Sequence, residues 1–197
     1  RELKFRGLKT KIGILEKEAR KLNEAYIKYA RTKRPFVTLK IAMSADGKIA
    51  TSSGDSKYIT SKEARTYVHQ LRSEVDAVMV GLNTVLRDNP FLTPRLIKGK
   101  DPLKIVVDSK LKIPANSNLM KDPSKLIIAT TNRASKKDVR KLLQKGVSTI
   151  ITKSKNGFVD LAELMKQLGK REITHVMIEG GSQLNSSAIK SGVVDKM

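Results

Sequence analysis

The sequence contains no cysteine and no tryptophan, and only 4% of its residues are aromatic. Without cysteine the chain has no disulfide, no thiol nucleophile and no cysteine-ligated zinc site. Its two histidines, His69 and His175, lack the neighbouring histidines and carboxylates that a metal site needs, so we expect no metal. No apolar run is long enough to cross a bilayer, and no signal-peptide core is visible, so we expect a cytoplasmic protein.

Acidic residues are scarce as well, since 19 Asp and Glu stand against 40 Lys and Arg and give a formal net charge of +21. Such a charge suits a nucleic acid, an anionic membrane surface or a phosphorylated substrate. The lysines are spread along the whole chain, however, and few aromatic rings are available for stacking on bases. We therefore interpret the charge as a solvated surface and expect neither a nucleic-acid nor a membrane partner.

Apolar runs alternate with helical patterns through most of the 197 residues, a length that can bury one substantial core. Near-continuous Val and Ile runs separated by helices are typical of a mostly parallel sheet with helices on both faces. The pattern therefore predicts the α/β class. The predicted strands are residues 36–43, 77–81, 103–108, 126–130, 148–151 and 175–178.

Several residues are of the types that begin and end helices. Ser, Thr and Asp favour the first position because their side chains accept free backbone N–H groups, and Gly favours the position after the last turn. The predicted starts are Thr60 with Glu63 as a capping box, Ser135, and Asp160 with Glu163. The predicted ends are Gly146, Gly169 and Gly192.

Both ends of the chain suggest a piece of a longer polypeptide. Residues 14–29 have the apolar spacing of one amphipathic helix, followed by a basic loop, so we expect residues 1–34 to precede a main domain at 35–197. Residues 193–197 read as the beginning of a strand that nothing in the sequence pairs, which indicates a domain truncated at its C-terminus. An unpaired strand also favours a homodimer.

The apolar run 175–178 ends in Glu179-Gly180-Gly181-Ser182, and a helical stretch follows. The glycines let a ligand approach the backbone closely, and the first free N–H groups of the helix point at it. A phosphate suits such a junction best. Glu179 stands where the strand ends, which is where α/β sheets handle their ligands. The pattern predicts a nucleotide-cofactor enzyme.

Residues 38–51, 54–60, 81–95 and 179–187 together resemble one family, the reductase domain of the bifunctional riboflavin-biosynthesis deaminase-reductases. The similarity covers residues 34–197 with the motifs in the right order. It implies a dihydrofolate-reductase-like fold and NADPH as the cofactor. The implied reaction reduces the ribosyl group of 5-amino-6-(5-phosphoribosylamino)uracil to a ribityl chain. The pairing of reductase domains in this family also implies a homodimer.

The resemblance also implies roles for individual residues. Those expected to contact the substrate are Ser56, Arg72, Leu92, Arg95 and Glu179. Those expected to contact the cofactor are Ala42, Tyr58, Thr84, Asp88, Ser109, Gly181, Ser182, Gln183, Leu184, Asn185, Ser186 and Ser187.

The chemistry of the residues is consistent with these roles. Arg72 and Arg95 can each offer a planar fork of N–H donors to the oxygens of a substrate phosphate. Reduction of the opened sugar needs an acid near its oxygens, for which the sequence offers Glu179, Asp88 and Lys40. The polar loop 130–133 is a candidate for the cofactor's 2′-phosphate.

In bifunctional relatives a strand and a helix resembling residues 8–29 close the deaminase domain. The deaminase zinc signature H-x-E with P-C-x-x-C is absent, so only the reductase activity is expected in this chain. Two alternatives stay open: a related reductase of another pterin or pyrimidine, and a non-catalytic basic module that binds nucleic acid.

Overall fold

The computed structural model describes residues 2–49, 51–52 and 59–197. The helices are α1 (Glu2–Phe5), α2 (Glu16–Leu22), α3 (Glu24–Thr32), α4 (Lys62–Glu74), α5 (Leu82–Asp88), α6 (Lys136–Gln144), α7 (Leu161–Lys170) and α8 (Ser182–Lys190). The strands are β1 (Phe36–Leu39), β2 (Ala77–Gly81), β3 (Leu103–Val107), β4 (Leu126–Thr131), β5 (Ser148–Thr152), β6 (Ser154–Lys155), β7 (Phe158–Val159) and β8 (His175–Gly180). Two 3₁₀ turns, Asn118–Lys121 and Pro123–Lys125, precede β4.

Six strands form one sheet in the order β1-β8-β2-β3-β4-β5, and every pairing in it is parallel. The short strands β6 and β7 form a separate antiparallel hairpin. Each predicted strand is present, although β1 ends at Leu39 and not at Met43. The carboxyl ends of the six strands therefore share one edge of the sheet.

Helices cover both faces of this sheet. On one face, Leu164 and Leu168 of α7 and Leu184 of α8 pack on the strands. On the other, Leu71 of α4 and Val85 of α5 do so. Because each strand buries side chains on both of its faces, the strands have the near-continuous Val and Ile runs seen in the sequence. The predicted α/β class is confirmed.

The helix starts agree with the sequence in two of three places. Ser135 Oγ accepts the N–H of Asp138, and Asp160 Oδ1 accepts those of Ala162 and Glu163. The prediction of a Thr60–Glu63 box was wrong, because the residue that caps α4 is Ser61. Thr60 lies one residue earlier, and adjacent Thr and Ser cannot be told apart from pattern alone.

The three glycines predicted to end helices have two different roles. Gly146 and Gly192 follow α6 and α8 with φ angles of 80° and 65°, which favour glycine. Gly169 lies inside α7, so its prediction was wrong. A Cβ there would lie 2.0 Å from the carbonyl oxygen of Lys33, so this glycine is required by the close approach of two segments.

The terminal segments also differ from expectation. The helix predicted over 14–29 is divided at Asn23 into α2 and α3, and residues 8–14 form no strand. Residues 193–197 are not left without a partner. Asp195 and Lys196 donate their N–H groups to the carbonyl of Val37, and Leu39 donates to Lys196, along the free edge of β1.

Among the residues that the structure describes, no helix combines the length and the apolar character of a membrane span. The same residues include no group of three His, Asp or Glu placed to hold a metal ion.

Candidate functional site

Several of the predicted site residues lie at the carboxyl edge of the sheet. Lys40 directly follows β1, and its N–H donates to the carbonyl of Ile178 in the neighbouring β8 at 2.9 Å. Glu179 lies in β8, and Gly81 ends β2 beside it. This edge is where parallel α/β sheets bind ligands, because the polar ends of several strands meet there.

Glu179 occupies an irregularity in the sheet. Met79 of β2 pairs with Ile178, but the next residue, Val80, pairs with Gly180, so the register passes over Glu179. An extra residue of this kind turns its side chain out of the regular pleat, and such bulges are found beside active sites. The sequence has no signal for this shift, because it depends on the pairing of two strands distant in the chain.

The Glu179 carboxylate forms a two-point ion pair with Arg72 of α4. Arg72 Nε donates to Oε1 and Nη2 donates to Oε2, each at 2.7 Å. The side chains are 13% and 6% exposed, so little water competes for this pair. Glu179 does not cap α8, because the N-cap residue of that helix is Gly181, which has no side chain.

The remaining N–H groups of Arg72 face its own helix and the loop after α5. Nη1 donates to the carbonyl of Thr93 at 3.1 Å and lies 3.4 Å from Nε2 of His69. His69 is buried, and its Nδ1 accepts the N–H of Leu96 at 3.1 Å. Burial, together with the positive charges of Arg72 and Arg95, lowers the pKa of His69, and the nearby Glu179 carboxylate opposes this shift.

Arg95 stays exposed near this cluster, with its guanidinium 5.2 Å from the centre of the Phe91 ring. Among the described residues no carboxylate pairs with Arg95. Its fork of N–H donors is therefore open to a ligand, whereas that of Arg72 is mostly used within the protein.

Lys40 completes the charged cluster. Its side chain is half-buried, and burial lowers the pKa of its amine; the nearby Glu179 carboxylate raises that pKa, and Arg72 lowers it further. A lysine whose pKa is lowered gives up its proton more readily than an ordinary lysine.

A cleft of about 430 Å³ opens at the same edge, within the size range of ligand pockets. Its lining includes Gly81 and Gly181, and a Cβ on Gly181 would lie only 3.3 Å from Thr84 Oγ1. Gly181 has a φ of 92°, a conformation that favours glycine. The first residues of α8 line this cleft, and the N-cap residue Gly181 has no side chain to accept their N–H groups.

The loop after β3 forms another wall of the cleft. Buried Asp108 holds it, with Oδ2 accepting the N–H of Ile113 at 2.8 Å and Oδ1 that of Lys110 at 3.3 Å. Burial raises the pKa of Asp108, although these backbone donors oppose the rise. Ser109 Oγ accepts the N–H of Val159, which ties the loop to the β6–β7 hairpin.

Most of the predicted cofactor residues line this cleft. They are Thr84, Asp88, Ser109, Gly181, Ser182, Gln183, Leu184 and Ser187. The cleft lining does not include Ala42, Asn185 or Ser186. Tyr58, predicted for the cofactor, and Ser56, predicted for the substrate, lie outside the described residues.

Two other predictions are modified by burial. Leu92 is 2% exposed and its side chain belongs to the core, so only its backbone can reach a substrate. In the loop 130–133, Thr130 and Thr131 are buried, and the loop does not line the cleft.

The cleft also contains residues that sequence reasoning missed, namely Arg87, Lys110, Lys112 and Phe158. The polar run that follows the apolar strand β3 was a usable signal for the two lysines, because ligands lie at the carboxyl ends of parallel strands. Phe158 had no such signal, since the β6–β7 hairpin, far along the chain from β3, brings it to the cleft.

Comparison with known proteins gives one consistent family. The model of the RibD C-terminal domain matches residues 35–197. The riboflavin biosynthesis protein RibD of Actinobacillus pleuropneumoniae is 41% identical over 198 residues, which cover 100% of this chain and 52% of that protein.

Comparison with solved structures gives the same family. RibD of Acinetobacter baumannii superimposes with a TM-score of 0.84 and 31% identity, covering 98% of this chain and 53% of that one. A second solved structure, from Thermotoga maritima, is a diaminohydroxyphosphoribosylaminopyrimidine deaminase/5-amino-6-(5-phosphoribosylamino)uracil reductase. It has a TM-score of 0.79 and 31% identity to this chain, and the match covers 96% of this chain and 51% of that one. The chain spans about half the length of the curated relatives it matches.

Proposed function

The chain belongs to the RibD C-terminal domain family, and from this we propose that it is an NADPH-dependent reductase of riboflavin biosynthesis. Its reaction would convert the ribosyl group of 5-amino-6-(5-phosphoribosylamino)uracil to a ribityl chain. The fold is dihydrofolate-reductase-like, and reductases of this family use a reduced nicotinamide cofactor. The observation that carries the proposal is the buried Arg72–Glu179 pair at the same sheet edge as a cleft lined by Gly81 and Gly181.

The cleft has the features that a dinucleotide requires. The free N–H groups at the start of α8 and the bare backbone of Gly181 suit a pyrophosphate, which needs donors and close approach. Asp88 at the end of α5 can accept hydroxyl or amide donors of the ligand. The bound nicotinamide would supply the hydride, while the protein places it against the sugar carbon and excludes water.

We assign the proton chemistry to Lys40 and the orientation of the sugar to Glu179. Both oxygens of Glu179 accept N–H groups from Arg72, so this side chain is placed as an acceptor for substrate hydroxyls. Lys40 Nζ carries a proton that its lowered pKa makes easier to transfer to a sugar oxygen. Asp88 lies in the cleft and serves the cofactor.

The 5′-phosphate of the substrate fits Arg95 best. Its guanidinium is exposed and packs on Phe91, which limits its motion without using its N–H donors. Arg72 has most of its donors satisfied by Glu179 and Thr93, so its main task is to hold Glu179. Phosphate binding by Arg95 and positioning of Glu179 by Arg72 thus replace the expectation that both arginines bind the phosphate.

A direct assay tests the proposed function. Purified chain is mixed with NADPH and the phosphorylated substrate, and the loss of reduced-nicotinamide absorbance is followed while mass spectrometry detects the ribityl product. Oxidation that depends on the substrate is expected. Absence of turnover would overturn the proposal, and equal turnover of the dephosphorylated substrate would favour a different pterin or pyrimidine reductase. Oligonucleotide binding with a steep salt dependence and no NADPH binding would favour the nucleic-acid module.

A further inference from the structure

Arg95, to which we assign the substrate phosphate, lies in a tight turn after α5. The N–H of Ile97 donates to the carbonyl of Pro94 at 3.2 Å and closes this turn. Arg95 and Leu96 are its two central residues, and the hydrogen bond of the turn leaves the N–H of Leu96 without a partner. The direction of the Arg95 side chain therefore depends on what holds the turn to the rest of the protein.

Helix α4 holds this turn from two successive positions on one face. Leu96 donates its N–H to Nδ1 of His69 at 3.1 Å, and the His69 side chain is buried. Three residues further along α4, Arg72 Nη1 donates to the carbonyl of Thr93 at 3.1 Å. His69 and Arg72 thus fix the backbone on both sides of Arg95.

The chain also stays against α4 beyond the turn. A Cβ on Gly99 would lie 2.6 Å from the Cβ of Ser73, so the segment passes the helix at a distance that only glycine allows. Pro94 on the other side of Arg95 is buried. An exposed guanidinium that projects from so well-held a backbone loses less conformational entropy when it binds an anion.

The contact with Leu96 requires a side chain that accepts a hydrogen bond. Nδ1 of His69 accepts only while it carries no proton, because a protonated Nδ1 is itself a donor. Burial and the positive charges of Arg72 and Arg95 lower the pKa of this ring, and the Glu179 carboxylate opposes the shift. The lowered pKa favours the accepting form of the ring.

We propose that His69 is a positioning residue for the substrate: by accepting the N–H of Leu96 it fixes the turn 94–97 and directs the Arg95 guanidinium toward the substrate phosphate. This inference rests on the proposed function and adds to it a residue that determines affinity for the phosphorylated form of the substrate. The sequence offered no signal for this role, because it follows from a contact between a helix and a loop 27 residues further along the chain.

Two amide substitutions test this assignment. In His69→Asn the amide oxygen can take the place of Nδ1 and accept the N–H of Leu96, whereas in His69→Gln it reaches the position of Nε2 and leaves that N–H unpaired. We expect His69→Gln to raise KM for the phosphorylated substrate roughly tenfold with kcat changed less than about threefold, and His69→Asn to keep KM within about threefold of the intact chain. Calorimetric binding of the phosphorylated substrate without NADPH should weaken in the same order.

Two further comparisons show whether the effect passes through Arg95. For the dephosphorylated substrate, kcat/KM should be the same in His69→Gln and in the intact chain. In the Arg95→Ala background, His69→Gln should raise KM no further, because the contact that it supports is already lost. The matched control is His175→Asn, which removes the Nε2 contact with Thr38 Oγ1 at the opposite edge of the sheet and should leave KM unchanged.

An unchanged KM in His69→Gln, or an equal rise in His69→Gln and His69→Asn, would refute the assignment and leave the proposed function intact. An equal loss of kcat/KM for both forms of the substrate would also refute it, because His69 would then act through its contact with Arg72 and so on Glu179. Denaturation midpoints of all variants separate a loss of folded protein from a loss of affinity. If the intact chain binds the phosphorylated substrate without reducing it, the proposed function alone fails, and calorimetry still decides the role of His69.

Discussion

At the scale of single residues, the arrangement of Arg72 and Glu179 explains how a carboxylate is held in one orientation where little water reaches it. Arg72 donates two N–H···O bonds to Glu179, and each side chain is mostly shielded from water. Removing one member leaves the other buried without a partner, which costs more than the pair itself contributes. A substitution at Glu179 must therefore affect stability as well as chemistry.

We expect Glu179→Gln to lower the free energy of unfolding by about 1–3 kcal/mol, because Arg72 loses its charged partner. Turnover should fall by roughly a hundredfold, the usual effect of losing a positioned polar group at the reacting centre. Chemical denaturation and steady-state kinetics measure the two effects.

The double variant Arg72→Gln/Glu179→Gln separates these effects. Two amides can hydrogen-bond to each other, so this variant should recover part of the lost stability without recovering turnover. Full activity in Glu179→Gln alone would contradict a substrate role for this carboxylate.

Arg95→Ala should raise KM for the phosphorylated substrate by roughly ten- to a hundredfold, because a charge-assisted contact contributes about 1.5–3 kcal/mol. NADPH affinity and stability should change little, since the side chain is exposed. Lys121→Ala is the matched control, because Lys121 lies 5.4 Å from the same Phe91 ring. An unchanged KM in Arg95→Ala would show that this arginine is an ordinary solvated surface residue with no role in substrate binding.

At the scale of elements, close packing decides details that local preference leaves open. α3 approaches α7 so closely that the Tyr29 hydroxyl donates to the carbonyl of Gly169 at 3.1 Å. The carbonyl of Lys33 occupies the space that a side chain at position 169 would need. Gly169 thus serves the contact between two helices and does not terminate one.

Gly169→Ala should lower the free energy of unfolding by about 1–3 kcal/mol, because the added methyl forces α3 and α7 apart. Helix propensity alone predicts that the free energy of unfolding rises by roughly 1 kcal/mol. The sign of the measured change therefore shows whether helix propensity or the steric clash dominates. Urea denaturation measures it. NADPH affinity should stay normal, since the substitution lies in the last turn of α7, at the edge of the sheet opposite to the cleft; a more stable variant would contradict the packing argument.

At the scale of the whole molecule, the two histidines couple stability to pH. Burial lowers the pKa of both His69 and His175. The unfolded chain binds protons below about pH 6.5, while the folded chain resists them, so stability should fall as the pH drops below that value. Asp108, whose pKa is raised, acts in the opposite direction because the folded state binds its proton first.

The variant His69→Asn/His175→Gln should show a flatter dependence of unfolding free energy between about pH 7.5 and about pH 5. Asn can replace the Nδ1 acceptor that His69 offers to Leu96, and Gln can replace the His175 Nε2 that contacts Thr38 Oγ1. Asp108 is common to both proteins, so its contribution cancels. If the unfolding free energy of the variant falls with pH as steeply as that of the intact chain, the histidines are not the cause of the pH dependence.

The predicted homodimer stays a prediction. One of its two arguments, an unpaired segment at 193–197, does not hold, because that segment lies along the free edge of β1. The other argument, the pairing of reductase domains that the family resemblance implies, still favours a dimer. Light scattering on the purified chain should return twice the mass of one chain, and a monomer mass would contradict the dimer.

The sequence by itself determined what depends on neighbours along the chain. The apolar periods located all six strands of the main sheet, Ser135 and Asp160 marked two helix starts, and the turn after Glu179 pointed to the ligand-binding edge. These features follow from local hydrogen bonds and local burial, which residue order alone specifies. The comparisons confirm the family and the fold that the motifs indicated.

Only the tertiary structure decided what depends on residues distant in the chain. The register shift that turns Glu179 outward arises from pairing with β2, and Arg72 reaches that carboxylate from a helix 107 residues away. The loop carrying Lys110 and Lys112 meets the hairpin and α8 in one cleft only because β3 lies beside β2. Such contacts are set by sheet order and by close packing of the core, which no local pattern encodes.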